Sequence, residues 1–247
     1  MVKKSYKGGE VFQNKEISKG VYKLDVIGNF KSFPGQFYML KAWKNDPLLP
    51  RPFSVCDISG DKISFLYEVV GKGTEIMKKL KTGDNIELLG PLGNSFDVKE
   101  AEGKKVAIIT GGVGIAPMLY LVKNLKANVD LYAGFREIDF FIDEFKSYIN
   151  DVYISTNSGK VGHKGFITEI VKKDFYDIVY SCGPTPMLKS VKKLNLNIPT
   201  YISTESRMGC GIGACLACST KTVNGMKRIC KEGPIFEVNE VIFNDEC

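Results

Sequence analysis

The chain has 247 residues, 44% hydrophobic and 25% charged, with 34 Lys and Arg against 28 Asp and Glu and a formal net charge of +6. That balance belongs to an ordinary globular protein and excludes a disordered or low-complexity chain. No run of 18 apolar residues offers a membrane span, and the lysines are spread out rather than interleaved with aromatics, which argues against a nucleic-acid partner.

The N-terminal stretch "MVKKSYKGGEVFQNKEI" is basic with no apolar run behind it, unlike a secretory signal. The cytoplasm is therefore the expected compartment, where clustered thiols are more often metal ligands or catalytic groups than disulfides. Residues 10 to 100 read as all-β. "VYKLDVIG", "GQFYMLKAW", "RPFSVCDI" and "KISFLYEVV" carry β-branched and aromatic residues with partial alternation, and Ser59-Gly60-Asp61 separates the last two. "GTEIMKKLKTGD" has helical spacing at Ile76, Met77 and Leu80 and stops at Gly83, before a last strand in "NIELLGPLGNSF". Short strands between regular turn signals predict a small antiparallel β-barrel.

The pattern changes near residue 103. "KKVAIIT" is almost wholly apolar, as in a parallel sheet covered on both faces. A Gly-rich turn and the helix "APMLYLVKNLK" follow, then an alternation of strands and helices through "VDLYAGF", "FIDEFKSY", "DVYIST", "FITEIVKK", "DIVYSCG", "PMLKSVKKL" and "PTYIST". Such a series predicts a doubly wound parallel sheet. From 205 onward the chain is rich in Cys and Gly, with a hairpin expected at Asn224-Gly225. The fold class is thus mixed β and α/β, divided into a barrel at 1–100, a nucleotide-type α/β domain at 101–203 and a cysteine module at 204–247.

Within that module Cys210, Cys215, Cys218 and Cys230 follow the spacing C-x4-C-x2-C-x11-C. The first part matches the plant-type ferredoxin pattern for a 2Fe–2S cluster. The small residues Gly209, Gly211, Gly213, Ala214 and Ala217, before and between the first three cysteines, let the loop turn back and aim N–H groups at sulfurs. Zinc more naturally uses two separated C-x2-C pairs or a histidine, a disulfide framework conflicts with the compartment, and burial alone explains one or two thiols rather than four. Cys56 reads as packing, and Cys247 as a terminal residue without a structural role. The lone histidine, His163, leaves little for a Ser-His-Asp triad, so no catalytic side chain is nominated and the chemistry is expected to rest on bound cofactors.

Two signals in the barrel suit a flavin. In "RPFS", Arg51 could neutralise a pyrophosphate and Ser54 could hydrogen-bond an isoalloxazine, with Pro52 and Phe53 between them and Phe53 placed to stack. In "GKGTE", Gly71 and Gly73 allow a tight turn and Thr74 could cap a helix whose free N–H groups attract phosphate. An ordinary surface turn and an ordinary cap are the alternatives. Two further signals suit a nicotinamide dinucleotide. "TGGVGIAPM" follows a buried strand and opens a helix, so Gly111, Gly112 and Gly114 allow close approach of a pyrophosphate, while Pro117 suits a helix's first turn. "CGPTPML" ends a later strand, where Gly183 and Pro184 would shape a pocket rim and Cys182 would face the pocket.

Taken together, "RPFS", "GKGT", "TGGVGIAP" and "CGP" resemble the ferredoxin–NADP reductase superfamily. With "ESRMGCGIGACLAC…C" added, the whole chain closely resembles the electron-transfer subunits of class B dihydroorotate dehydrogenases. The resemblance implies FAD, a 2Fe–2S cluster and NAD as cofactors, with Arg51 to Ser54, Leu66, Tyr67, Glu68, Gly73 and Thr74 at the FAD and the four cysteines at the cluster. It implies an FMN-bearing catalytic partner, in a heterotetramer of two plus two, that oxidises dihydroorotate in pyrimidine biosynthesis. Electrons would then pass through the cluster and FAD to NAD+. One stretch departs from the pattern: "STNSGKVGHKG", 155 to 165, stands where an acidic run is expected, and Asn157 and Lys160 leave room for a 2′-phosphate. The alternatives are a flavin/iron–sulfur subunit of an NADP(H)–ferredoxin transhydrogenase or hydrogenase complex, and a cluster-binding subunit without turnover.

Overall fold

The computed structural model of this protein describes residues 5–243. Six strands open the chain: β1 (Ser5–Ser18), β2 (Val21–Ile27), β3 (Phe37–Lys41), β4 (Arg51–Ser59), β5 (Lys62–Glu68) and, after the short helix α1 (Lys72–Met77), β6 (Asn85–Leu92). They close into an antiparallel barrel in the order β1-β2-β5-β4-β3-β6. Alternation fixes which side chains point in: Val11, Leu24, Val26, Tyr38, Leu40, Val55, Ile63, Phe65, Ile86 and Leu88 fill its interior. The β4–β5 turn rests on Gly60, whose φ of 61° few other residues adopt.

The second half alternates as follows: β7 (Lys105–Gly111), a 3-10 turn (Gly112–Ile115), α2 (Ala116–Asn124), β8 (Asn128–Phe135), β9 (Asp151–Thr156), β10 (His163–Lys164), β11 (Ile178–Cys182), α3 (Thr185–Lys193) and β12 (Thr200–Ser203). The cysteine-rich segment adds the hairpin β13 (Ser219–Thr222) and β14 (Gly225–Arg228), then β15 (Ile235–Glu237). The main sheet runs β10-β9-β8-β7-β11-β12-β15, parallel except for β15, which lies antiparallel beside β12. Successive residues of β7 face opposite layers. Val106 and Ile108 pack with α2, while Ala107 and Ile109 pack with Val191 of α3 and with Ile167. This double burial is why the strand has no polar alternation. The strand order reverses between β7 and β11, and open α/β sheets bind ligands at the carboxyl ends of strands beside such a reversal.

Several local expectations are corrected. β1 was not expected, and it pairs with both β2 and β6 to close the barrel. "FIDEFKSY" and "FITEIVKK" do not form helices; each holds one 3-10 turn, Ile142–Phe145 and Ile167–Ile170. Their apolar residues recur three apart, which one tight turn satisfies. Helix α1 ends at Met77, well short of Gly83. The hairpin turn is Val223-Asn224, with Gly225 already paired to Thr222 at a φ of 97°. The cysteine-rich segment also shares its packing with the rest of the chain: Cys218, Ile229, Cys230 and Phe236 form one cluster with Phe37, Met39 and Leu92 of the barrel. Among the described residues no helix is long and apolar enough to cross a membrane.

Candidate functional site

A groove of about 1020 Å³ runs between the barrel and the carboxyl ends of the parallel strands. All the barrel and sheet residues nominated from sequence line it: Arg51, Pro52, Phe53, Ser54, Leu66, Tyr67, Glu68, Gly73, Thr74, Gly111, Gly112, Gly114, Cys182, Gly183 and Pro184. The antiparallel pairing of β4 with β5 brings the start of one strand and the end of the other to a common rim. β7 and β11 supply the opposite wall because they are adjacent and parallel, with Thr110 opposite Cys182.

On the barrel side the Arg51 guanidinium lies over the indole of Trp43, 5.6 Å from its centroid, and Nη1 donates to the Leu49 carbonyl at 2.6 Å. No acidic partner of Arg51 occurs among the described residues, so its charge is available to an anion in the groove. Phe53 meets Tyr67 edge-on at 5.8 Å, and the Tyr67 hydroxyl donates to Asn14 at 3.0 Å. Thr74 is not the cap of α1. Gly71 holds that position, and Thr74 sits three residues on, where Oγ1 accepts from the N–H groups of Val70 and Gly71 at 3.0 and 3.1 Å. A Cβ on Gly73 would stand 3.0 Å from the Trp43 ring and 3.3 Å from Arg51 Nε.

On the sheet side the glycines divide by role. Gly112 has a φ of 54° and faces open space. Gly111, Gly114 and Gly183 are needed where two loops touch: a Cβ on Gly114 would lie 2.4 Å from the Cys182 carbonyl oxygen, and one on Gly111 would lie 2.8 Å from Met187 Sδ. Burial, with the Glu205 charge adding to it, pushes the Cys182 thiol up to about 12, and burial also raises Cys56. Both stay protonated near neutrality, and the thiolate is the nucleophile. In cluster-free protein at about pH 8 an alkylating reagent is therefore expected to modify exposed Cys215 and spare Cys56 and Cys182. Mass spectrometry checks this, and labelling of Cys182 at the rate of Cys215 would contradict it.

Four polar or aromatic groups stand out among the lining residues that the sequence did not point to. Arg136, Glu137 and Phe166 follow β8 and β10, and Glu205 follows β12. The available signal was position, at the carboxyl ends of parallel strands. Desolvation by the walls raises the pKa of Glu205. Asn157 lines the groove, whereas Lys160 sits 4.0 Å from Glu137. An acid thus reaches this part of the groove from β8 rather than from 155–165.

A second cavity of about 710 Å³ is lined by Arg51 and Ser54 on one side and by Glu205, Arg207 and Met208 on the other, and Met208 packs against the apolar cluster that holds Cys218 and Cys230. Hydrogen bonds link the four cysteines in two pairs, Cys210 with Cys215 and Cys218 with Cys230. Cys210 Sγ accepts N–H groups from Ala214 at 3.3 Å and Cys215 at 3.4 Å, and Cys218 Sγ accepts from Cys230 at 3.5 Å. Desolvation would raise Cys210, but N–H donors of Cys215, Ile212 and Ala214 and the Cys215 thiol outweigh it and hold Cys210 down to about 6. Gly211, at a φ of 71°, lets this loop press on the barrel, because a Cβ there would lie 2.8 Å from Met39. Among the described residues no three His, Cys, Asp or Glu side chains converge on one point, and the described cysteines are unbridged. Two pairs with N–H groups aimed at sulfur fit a two-iron cluster with two thiolates per iron better than one tetrahedral zinc. Cys247 lies outside the described residues.

Residues 205–242 match the family model described as the iron-sulfur cluster binding domain of dihydroorotate dehydrogenase B. The dihydroorotate dehydrogenase B (NAD(+)) electron transfer subunit of Clostridium acetobutylicum is 51% identical, over 99% of this chain and 100% of that one. Its counterpart in Caldanaerobacter subterraneus is 40% identical over 94% and 97%. A solved NADH-dependent reduced ferredoxin-NADP oxidoreductase superposes with a TM-score of 0.86 at 28% identity, covering 95% of this chain and 89% of that one.

Proposed function

We infer, because the chain belongs to the electron transfer subunits of dihydroorotate dehydrogenase B (NAD(+)), that it carries electrons from a dihydroorotate-oxidising partner subunit to NAD+. The observation that carries this reading is the continuity from the groove toward the cysteines: Arg51, Ser54 and Glu205 line both the groove and the second cavity, whose wall runs on to Met208, packed against the cluster that holds Cys218 and Cys230. When bound, a flavin exchanges electron pairs as hydride or electrons singly, and a 2Fe–2S cluster passes one at a time.

The chain's own residues divide the work. Arg51 offers a fixed cation to the FAD pyrophosphate, and Ser54 offers a hydroxyl at the isoalloxazine end. Tyr67 and Phe53 supply the aromatic wall, and Leu66, Glu68, Gly73 and Thr74 complete the rim. Gly111, Gly112 and Gly114 leave the backbone open to the NAD pyrophosphate, while Cys182, Gly183 and Pro184 shape the nicotinamide end. Glu137 suits the ribose hydroxyls of NAD and repels a 2′-phosphate, in keeping with the "NAD(+)" in the relatives' names. Cys210, Cys215, Cys218 and Cys230 would hold the 2Fe–2S cluster, which would pass electrons one at a time. The partner is an FMN-bearing catalytic subunit in a heterotetramer of two plus two, working in the cytoplasm in pyrimidine biosynthesis. The division at 1–100, 101–203 and 204–247 remains the proposed domain plan.

A second reading, an NADP(H)–ferredoxin subunit, is favoured by the 0.86 superposition alone. The 51% relative outweighs it, since that identity runs over the whole chain. The deciding experiment co-purifies the chain with the FMN subunit and follows dihydroorotate-dependent reduction of NAD+ and of NADP+. Reduction of NAD+ is expected, and ferredoxin-dependent reduction of NADP+ without dihydroorotate activity would overturn the reading. Arg51→Gln is expected to weaken FAD binding on the order of 10- to 100-fold, because a hydrogen bond to a charged group is worth ~1.5–3 kcal/mol. Flavin fluorescence on reconstitution measures it.

A further inference from the structure

Arg228 closes β14 and reaches two other pieces of chain at once. Its Nη1 donates to the Gly213 carbonyl at 3.0 Å, in the loop that carries Cys210 and Cys215. Its Nε donates to Glu232 Oε2 at 3.0 Å and its Nη2 to Glu232 Oε1, in the turn that carries Cys230. The backbone closes the same ring: the Arg228 N–H donates to Glu232 Oε2 at 2.8 Å, and the Arg228 carbonyl accepts from the Glu232 N–H at 2.8 Å. Gly213 makes the reach possible, because at a φ of 85° it turns its carbonyl toward Arg228 where a Cβ would strike Lys231 at 2.9 Å. Both side chains are less than a third exposed.

The charge matters as well as the tether. Arg228 stands two residues before Cys230, and its guanidinium reaches the loop that carries Cys210 and Cys215 while pairing with Glu232, so a cation and an anion lie beside both ligand-bearing segments. Both Glu232 carboxylate oxygens accept from the Arg228 guanidinium in a bidentate ion pair. The adjacent lysine, Lys227, is engaged elsewhere, in an ion pair with Glu240. A bidentate arginine pair combines geometry with a fixed dipole, which a lysine would not supply.

We propose that Arg228 and Glu232 are positioning residues for the iron–sulfur site: together they lock the Cys210–Cys215 loop to the Cys230 turn, and their opposite charges set the site's reduction potential. The proposal rests on the reading of the four cysteines as cluster ligands. Reduction adds one negative charge to the cluster, so a nearby cation favours the reduced form and a nearby anion opposes it. A role in packing alone would not depend on the sign of the charge removed.

The test uses the full chain in its complex, prepared anaerobically, with the reduced-state paramagnetic signal followed in a redox titration. Arg228→Gln is expected to move the midpoint negative and Glu232→Gln to move it positive. Each shift is on the order of tenfold in the oxidised-to-reduced ratio, about 59 mV for a one-electron couple. The double variant should return near the wild-type midpoint while losing iron to a chelator faster than wild type. Should Arg228→Gln hold no cluster, Arg228→Lys keeps the charge without the fork: the wild-type midpoint with faster iron loss is expected. Shifts of the same sign in both glutamine variants, no shift in either, or a large negative shift in Arg228→Lys would overturn the proposal. A wild-type protein with no cluster signal would remove the underlying reading and the proposal together, whereas a wild-type signal with unmoved variants removes the proposal alone.

Discussion

Replacing Cys215 with serine is expected to abolish the cluster and leave FAD bound. Cys215 is the exposed member of the four, whereas Cys218 and Cys230 are buried in the packing between β3, β6 and β15. Serine at 215 therefore removes one soft ligand without opening a cavity, and its oxygen is a poor substitute for thiolate at iron. The N–H of residue 215 still donates to Cys210 Sγ, so the loop keeps a local constraint. None of the groove residues on β4, β5 or α1 is touched. NADH-driven reduction of an artificial dye should survive while dihydroorotate-to-NAD+ transfer falls to background. Assaying both in one preparation separates the outcomes, and retained full-path turnover would contradict the wiring.

Gly114→Ala should have the other large effect, on the nucleotide side. The new Cβ would lie 2.4 Å from the Cys182 carbonyl oxygen and 2.7 Å from both the Cys182 carbonyl carbon and Gly183 Cα. All three are backbone atoms, so no side chain can swing away, and the β7 and β11 loops must part. Overpacking of this kind costs ~1–3 kcal/mol, on the order of 10- to 100-fold if it falls on nucleotide binding. The KM for NADH should rise accordingly while FAD content holds, because the flavin-side residues lie on the opposite wall. Gly112→Ala should be milder: it faces open space and bears only the strain of a left-handed backbone, about 1–2 kcal/mol. Steady-state kinetics of both variants check the ranking, and an unchanged KM in Gly114→Ala would contradict the packing described for these loops.

Much of this site was legible in the sequence because its chemistry depends on residue types that have few other uses. Four cysteines at C-x4-C-x2-C-x11-C and glycines after an all-apolar strand can be read without coordinates, and the glycines line one groove with Arg51 to Ser54 and Leu66 to Glu68. What the sequence hid was structure carried by short or mixed segments. β1 is largely polar and exposed on its outer face and contains Gly8 and Gly9, so its alternation is faint. β15 has three residues, too few for a pattern, yet it joins the cysteine segment to the main sheet. Glu205 and Glu137 carry no motif, and only the strand order shows that both end at the groove. Thr74 illustrates a finer gap: a hydroxyl at a helix start was expected, but its place in the turn depends on which residue leaves the helical path first, and that is Gly71.

The most direct measurement is the iron and acid-labile sulfide content of anaerobically purified protein, with a spectrum of the reduced state. Two irons and two sulfides per chain, with a paramagnetic signal on reduction that Cys215→Ser lacks, are the expected result. A colourless protein without labile sulfide, or one carrying a single zinc in the same four-cysteine corner, would contradict it.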